Sequence, residues 1–348
     1  MIHIVDGQTD SLLDVITHQH IIDDNHKKSL KDYLETFDFT TFADKKYSQH
    51  LTKRNIVIIP DEDGQYKEFI INESIKTRES RGLIAEVYTY ASYLNLKKAK
   101  VINPQTLTEY TPSTAVGFAT NDTEWMPGIV EGEGVRTFHI DNHTNPFALL
   151  KRIANEFDLE LRFRVEIDHN KVVRRYVDLL ERVGEWRGRE VELGRDLAGI
   201  KRKEKENIYT ALIGLGPEQP AGSRLEVLVE DEKALQRWGR PHPQTGELMH
   251  LVGTYEPQTS NLDMTLEELK QYTRTELNKR INETVEYETT VQDLEHVPGM
   301  ENKKIRFGDT IKIKDVKFNP PLYLEARVHT LERSIVDPSR KKIKLGDY

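Results

Sequence analysis

The sequence predicts a multidomain α+β protein in which two small antiparallel β-barrel-like domains flank α+β material. Three observations predict it. Both ends of the chain alternate apolar and polar residues at every second position, the mark of strands with one buried and one wet face. Turn pairs punctuate those runs: Asp6-Gly7, Asp63-Gly64, Gly308-Asp309 and Asp337-Pro338. Strong helical periodicity is confined to residues 146–157 and 263–281. At 348 residues the chain is long enough for two to four domains.

The N-terminal elements follow directly. Ile2, Ile4 and Val5 open a strand that stops at Asp6-Gly7, and 12–16 reads as its successor. Leu30, Tyr33, Phe37 and Phe39 alternate loosely. N-I-V-I-I-P at 55–60 is a clean strand, 61–64 a tight hairpin turn, and 66–75 the returning partner. Residues 83–90 form a further strand. The D-x-D-G run at 61–64 lacks the Glu at the twelfth position that a calcium loop requires, so it is read as a turn.

Residues 90–101 switch to a short helical segment that Asn103-Pro104 ends. Residues 106–119 are polar, small and turn-forming, which sets a boundary near 97–105. Trp125 to Gly128 is an aromatic patch before a loop, and 135–140 is a strand. Asn145 caps and Pro146 starts a helix carrying Phe147, Leu149, Leu150, Ile153, Ala154 and Phe157 on one side. Alternating strands at 159–165 and 172–180 follow, with turns at 183–184 and 187–189 leading into 190–194. Ile200 to Glu206 reads as a solvated strand edge, 208–215 as a buried strand and 216–222 as a linker. Lys233 to Gly239 is helical until Pro241 and Pro243 stop it. Asp263 or Thr265 caps the helix at 263–281, with Glu268 three after Thr265 in a capping box. The last sixty residues supply four strands: 285–291, 305–313, 322–331 and 342–345. The expected domains are 1–96, a β-barrel-like unit; 97–197, an α+β unit; 198–222 with 284–348, a second β-barrel-like unit; and 223–283, a mixed insertion.

Bulk chemistry narrows the function. Apolar residues make up 37% and charged residues 31%, which suits several small domains or an assembly with wet surfaces. A net charge of −8 argues against wrapping a nucleic-acid backbone and suits a wall past which DNA slides. The absence of cysteine excludes disulfides, thiolate nucleophiles and zinc-thiolate sites. No run of eighteen apolar residues exists and Met1 to Gly7 is no leader, so a soluble protein without a classical export signal is expected.

Catalytic patterns are missing: there is no G-x-S-x-G, no H-E-x-x-H and no phosphate-binding glycine loop. Two metal-type runs stand out. His18 and His20, expected on one side of a strand, lie beside Asp23, Asp24 and His26; His139, Asp141 and His143 form the other. Both are read as solvated polar runs. The expectation is no catalytic residue, no cofactor and no metal. Arg174, Arg175, Arg182, Arg187, Arg189 and Arg195 alternate with glutamates and are read as solvated ion pairs. Trp125, Trp186 and Trp238 are isolated, which favours core packing over a carbohydrate-stacking surface.

A resemblance adds to this reading. F-A-L-L-K-R-I-A-N-E-F-D-L-E-L-R-F-R at 147–164, Y-V-D-L-L-E-R-V-G at 176–184 and R-G-R-E-V-E-L-G-R-D-L-A-G-I-K-R at 187–202 come in order. I-Y-T-A-L-I-G-L-G at 208–216, Trp238-Gly239, Q-D-L at 292–294 and R-F-G-D-T-I-K-I-K-D at 306–315 follow. Together they resemble the N-terminal region of the prophage endopeptidase tail, or tail-associated lysin, family. The resemblance implies a baseplate-hub-like homotrimer whose two related β domains make a pseudo-sixfold ring. It further implies a virion tail-tip protein, assembled in the host cytoplasm, with the distal tail, tail-tube and tape-measure proteins as partners. Genome DNA would pass through without specific binding, and no membrane partner is implied. In longer relatives a fibre or peptidoglycan-cleaving part follows this region; the sequence here ends at Tyr348, so no catalytic residue is expected to carry over. The competing expectations are a tail-associated cell-wall endopeptidase and a receptor-binding tail protein.

Overall fold

A computed structural model describes Met1 to Gly346 apart from residues 32, 80–81, 170, 193–196, 206–207, 219–221, 258–263, 282–283, 292–294, 296–298, 301–302 and 317–321. The N-terminal unit is built from β1 (Ile2–Val5), β2 (Leu12–Ile16), β3 (Ile21–Ser29), β4 (Leu34–Phe42), β5 (Ile56–Pro60), β6 (Tyr66–Glu79) and β7 (Gly82–Ala91). Its strand order is β3-β4-β7-β6-β5-β1-β2. The apolar run of β5 is buried on both faces. Val57 and Ile59 enter the main core, while Ile56 and Ile58 join Val5, Ile70 and Val172 in a smaller cluster.

The middle of the chain holds α1 (Leu96–Ala99), β8 (Gln105–Tyr110), α2 (Pro112–Thr120), β9 (Met126–Val130), β10 (Arg136–Ile140), α3 (Pro146–Glu156), β11 (Glu160–Asp168) and β12 (Lys171–Leu180). β12 pairs antiparallel with β11 and parallel with β9. Asn145 Oδ1 accepts the Ala148 amide and starts α3 as expected. Helix α2 and strand β9 lie where turn and loop were expected. Thr111 Oγ1 accepts the Thr114 amide, Pro112 fits the first turn, and Ala115, Val116 and Ala119 are buried. The small, β-branched composition of α2 conceals that stripe, and tertiary burial stabilises it. The helical segment after β7 is one 3-10 turn, Ser92–Asn95, before α1.

The remaining elements are β13 (Trp186–Glu192), β14 (Leu197–Lys205), β15 (Ala211–Leu215), β16 (Glu226–Glu230), α4 (Glu232–Trp238), β17 (Arg240–Pro241), β18 (Leu248–Met249), β19 (Val252–Tyr255), α5 (Leu266–Arg280), β20 (Thr284–Val291), β21 (Thr310–Asp315), β22 (Leu322–Arg333) and β23 (Lys341–Gly346). The capping box at Thr265 and Glu268 opens α5, which covers a sheet ordered β16-β15-β19. The strand expected at 305–313 begins only at Thr310, because Phe307 and Gly308 form a turn. Residues 187–189 belong to one strand, β13, rather than to a turn.

The C-terminal strands are ordered β14-β20-β23-β22, with β21 on β22 and β13 on β21. Numbered by rank within its own unit, and setting β2 aside, this is 2-3-6-5-4-1, the order of β3-β4-β7-β6-β5-β1. The irregularities coincide too. One extra residue bulges from β6 between Ile71 and Glu73, and one from β22 between Val328 and Thr330. One bulges from β3 between Ile21 and Asp23, and the register of β14 shifts likewise between Leu197 and Ile200. The units differ in the last pair: β1 runs antiparallel to β5, whereas β13 runs parallel to β21. The protein is thus mostly β with α+β units between two like sheets. Among the described residues no pairing closes either sheet into a barrel; the strand path runs open from β14 to β2. No helix among them is long and apolar enough to cross a membrane.

Candidate functional site: the seam between the two sheets

The two sheets are hydrogen-bonded into one. The first half of β22 pairs with β21, and its second half pairs on the same edge with β3, matching Thr330 with Ser29 through Arg333 with His26. Strand β3 inverts the usual polarity there. Asp24, His26 and Lys28 point inward, while Asp23, Asn25 and Lys27 face solvent. An inward row of ionisable groups is costly unless partners satisfy it. The C-terminal unit brings most of the partners. Asp24 accepts from Ser334 Oγ at 2.5 Å and from the Ile335 amide at 2.7 Å. Arg333 Nε donates to His26 Nδ1 at 3.1 Å, so the other ring nitrogen carries the proton and donates to Glu35 Oε1 at 2.8 Å. Lys341 Nζ lies 2.6 Å from Glu62 Oε1. Arg306 grips Asp63 at 2.9–3.0 Å and Glu295 at 2.5 Å, and Arg340 meets Asp23. Across this seam most cations come from residues 306–341 and most anions from residues 23–63, with Lys27 and Glu332 the reverse case.

The ionisation states follow. Burial pushes the His26 imidazole down to about 3, against the pull of Glu35, so it is neutral. Burial alone would raise the Glu35 carboxyl, but Lys28 and His26 overcome it and hold the group at about 2. Lys341 and Lys28 do the same for Glu62, also about 2. Beside the seam a cavity of about 230 Å³ is lined by Lys28, Glu35, Lys67, Tyr93, Phe163 and Phe307, among others. Lys28 is 91% buried there, 3.8 Å from Glu35, and Lys67 Nζ donates to the Phe163 carbonyl at 3.3 Å. Burial and the neighbouring Lys28 lower Lys67.

The middle unit is tied in by the same chemistry. Arg327 donates to both Glu160 oxygens at 2.5 and 2.6 Å and to the Gly308 carbonyl at 3.0 Å. Gly184 and Gly308 cross so closely that a Cβ on Gly184 would lie 2.1 Å from the Gly308 carbonyl carbon; Gly184 has φ +83°. Arg175 bridges Glu68 at 2.6 Å and Asp10 at 2.6 Å.

The metal-type runs do not converge. His18 and His20 lie on a 3-10 turn rather than a strand, so their spacing does not align them; His18 is exposed, and His20 Nδ1 meets Thr17 Oγ1 at 3.3 Å. Asp24 and His26 are not solvated but buried in the seam, because β3 continues through the expected turn. His139 lies within β10, with Asp141 and His143 exposed beyond the strand's end. Among the described residues no three His, Cys, Asp or Glu side chains are placed to hold a metal ion. The arginine run also departs from expectation. Arg175 and Arg189 are buried, and Arg187 donates to buried Asp309 at 3.0 Å; Arg195 lies outside the described residues. Trp125 packs edge-on against Tyr93 and Phe163, and Trp238 Nε1 donates to the Ile281 carbonyl at 3.0 Å. Trp186 is 45% exposed under Lys312, against the expectation of core packing.

Comparison with known proteins agrees with the resemblance in the sequence. Residues 187–348 match the family model described as prophage endopeptidase tail. No curated protein has a matching sequence. The fold is that of prophage tail proteins. The 43 kDa tail protein of prophage MuSo2 from Shewanella oneidensis superposes with a TM-score of 0.68 at 13% identity, over 99% of this chain and 98% of that one. Prophage tail protein gp18 from Listeria monocytogenes gives 0.65 at 10%, over 100% and 94%. The c3393 protein of Escherichia coli, a type VI secretion component described as similar to T4 tail proteins gp27 and gp5, gives 0.52 at 9%, over 99% and 76%.

Proposed function

We propose that this protein is a structural component of a phage tail: a tail-tip hub that forms a homotrimeric ring, closes the tail tube and lets the genome pass. One observation carries the reading. The chain contains two sheets of the same strand order, 2-3-6-5-4-1, with bulges at matching positions. Two like units per chain let three copies present six like faces around an axis, which is the match a sixfold tube and a threefold tip require. The seam supports it, since buried charge pairs set the two units at one fixed angle. The net charge of −8 suits a wall that DNA slides along. The ring sits in the virion between the distal tail and tail-tube proteins and a downstream fibre or lysin part. It works as scaffold rather than enzyme.

The test is light scattering on the purified chain with electron microscopy of the particle. A ring of three copies is expected; a monomer at high concentration overturns the reading. Release of peptides from Gram-positive cell walls by the protein would overturn its non-enzymatic part.

A further inference from the structure

The internal seam specifies the seam between copies. Within the chain, the rank-five strand of one unit, β22, mates its outer half with the rank-two strand of the other, β3. The reciprocal pair is rank five of the N-terminal unit, β6, and rank two of the C-terminal unit, β14. They sit apart in the strand order and do not pair with each other. β5 covers β6 only from Tyr66 to Ile70. Beyond the bulge, among the described residues, no strand pairs with the edge of Glu73–Glu79 that faces away from β7. Among the described residues β14 pairs only with β20. Long unpaired edges of this kind recruit another strand. Glu73–Glu79 carries four charged residues, Glu73, Lys76, Arg78 and Glu79, which guard such an edge against indiscriminate pairing, but no proline that would bar a strand partner.

We infer that the outer half of β6 in one copy pairs antiparallel with β14 of the next, reproducing between copies the β22–β3 seam that exists within each. This rests on the ring reading above and adds its contact surface and register. The bulges fix the register. Glu73 stands to Thr330, and Lys205 to Ser29, by their positions after the bulges and their partners in β7, β20 and β4. The predicted pairs are therefore Glu73 with Lys205, Ser74 with Glu204, Ile75 with Lys203 and Lys76 with Arg202. The pair 75/203 corresponds to Glu332 and Lys27, a solvent-facing cross-strand pair 3.1 Å apart in the internal seam. A contact in which the two patches differ closes into a ring rather than a two-fold dimer when its rotation permits.

The chain has no cysteine, so paired cysteines report on this seam without background. The full chain carrying Ile75→Cys and Lys203→Cys is oxidised and run on a non-reducing gel. It is expected to cross-link at least tenfold faster than Ile75→Cys with Lys201→Cys, which is two residues out of register, and its ladder should stop at three copies. Hydrogen exchange on the cysteine-free protein should show protection at 73–79 that is lost on dilution to monomer. A trimer in which the two cysteine pairs react equally fast and 73–79 stays unprotected overturns the seam and leaves the ring standing. A monomer at every concentration overturns both.

Discussion

The N-terminal and C-terminal sheets share a strand order and differ in what supports them. Around β1–β7 the core is large: Phe37, Phe69 and Val57 belong to the same cluster as Phe147, Leu150 and Leu179 of the middle unit. Around β20–β23 the described residues form a separate cluster that includes Tyr287, Ile311, Val328 and Leu345. Phe37 and Tyr287 occupy equivalent places, each opposite the rank-two strand. The difference teaches that strand order can repeat while the packing around it does not. Among the described residues, ion pairs such as Lys341–Glu62, Arg306–Asp63 and Arg327–Glu160 join the C-terminal sheet to the other units.

That contrast can be broken experimentally, beginning with its largest effects. Phe37→Ala should cost about 3–5 kcal/mol in urea unfolding, because a fully buried ring in a close-packed core leaves a cavity. Amides of both the N-terminal and middle units should lose protection. Leu345→Ala should cost about 2–5 kcal/mol, with the loss of protection confined to the C-terminal sheet. Glu62→Ala should be comparable, about 3–5 kcal/mol, since it removes the carboxylate that lies 2.6 Å from the Lys341 ammonium, a side chain only 3% exposed. Gly184→Ala should destabilise through both its positive φ and the clash with Gly308, and alanine at Gly64, which has open space around it, should cost less.

Acid should act on the seam with a definite sign. Below about 6.5 the unfolded His26 gains a proton that the folded ring, at about 3, refuses, so stability falls with pH. Below about 4.5 Glu35 and Glu62 add to the loss, because their folded values near 2 lie under their unfolded ones. Urea midpoints should therefore hold steady from pH 8 to 6.5 on account of these groups and drop progressively toward pH 3. His26→Gln should flatten the upper part of that fall. The smallest effect is expected at the rim: Asp23→Ala, which loses only an exposed partner of Arg340, should stay within about 0.5 kcal/mol.

Much of the fold was legible in the residues. Period-two alternation located β1 and β11, a short apolar run located β5, and capping chemistry located α3 and α5, because those signals act over neighbouring residues. Helix α2 was hidden, since its Ser, Thr and Gly content reads as a loop until burial is known. The seam was harder still. Asp24 and His26 looked like a wet turn, for a charged residue carries no local mark of a partner 300 positions away.

The sequence by itself determined the place of most strands and of helices α3, α4 and α5, the lack of a recognisable catalytic motif, and a likeness to phage tail proteins, because periodicity, caps and turn residues are short-range physics. Only the tertiary structure decided that the two sheets repeat one strand order, that β22 binds β3, and that a row of ionisable groups is buried at their junction. Strand order and charge pairing depend on which distant segments meet in space, and no local pattern encodes that.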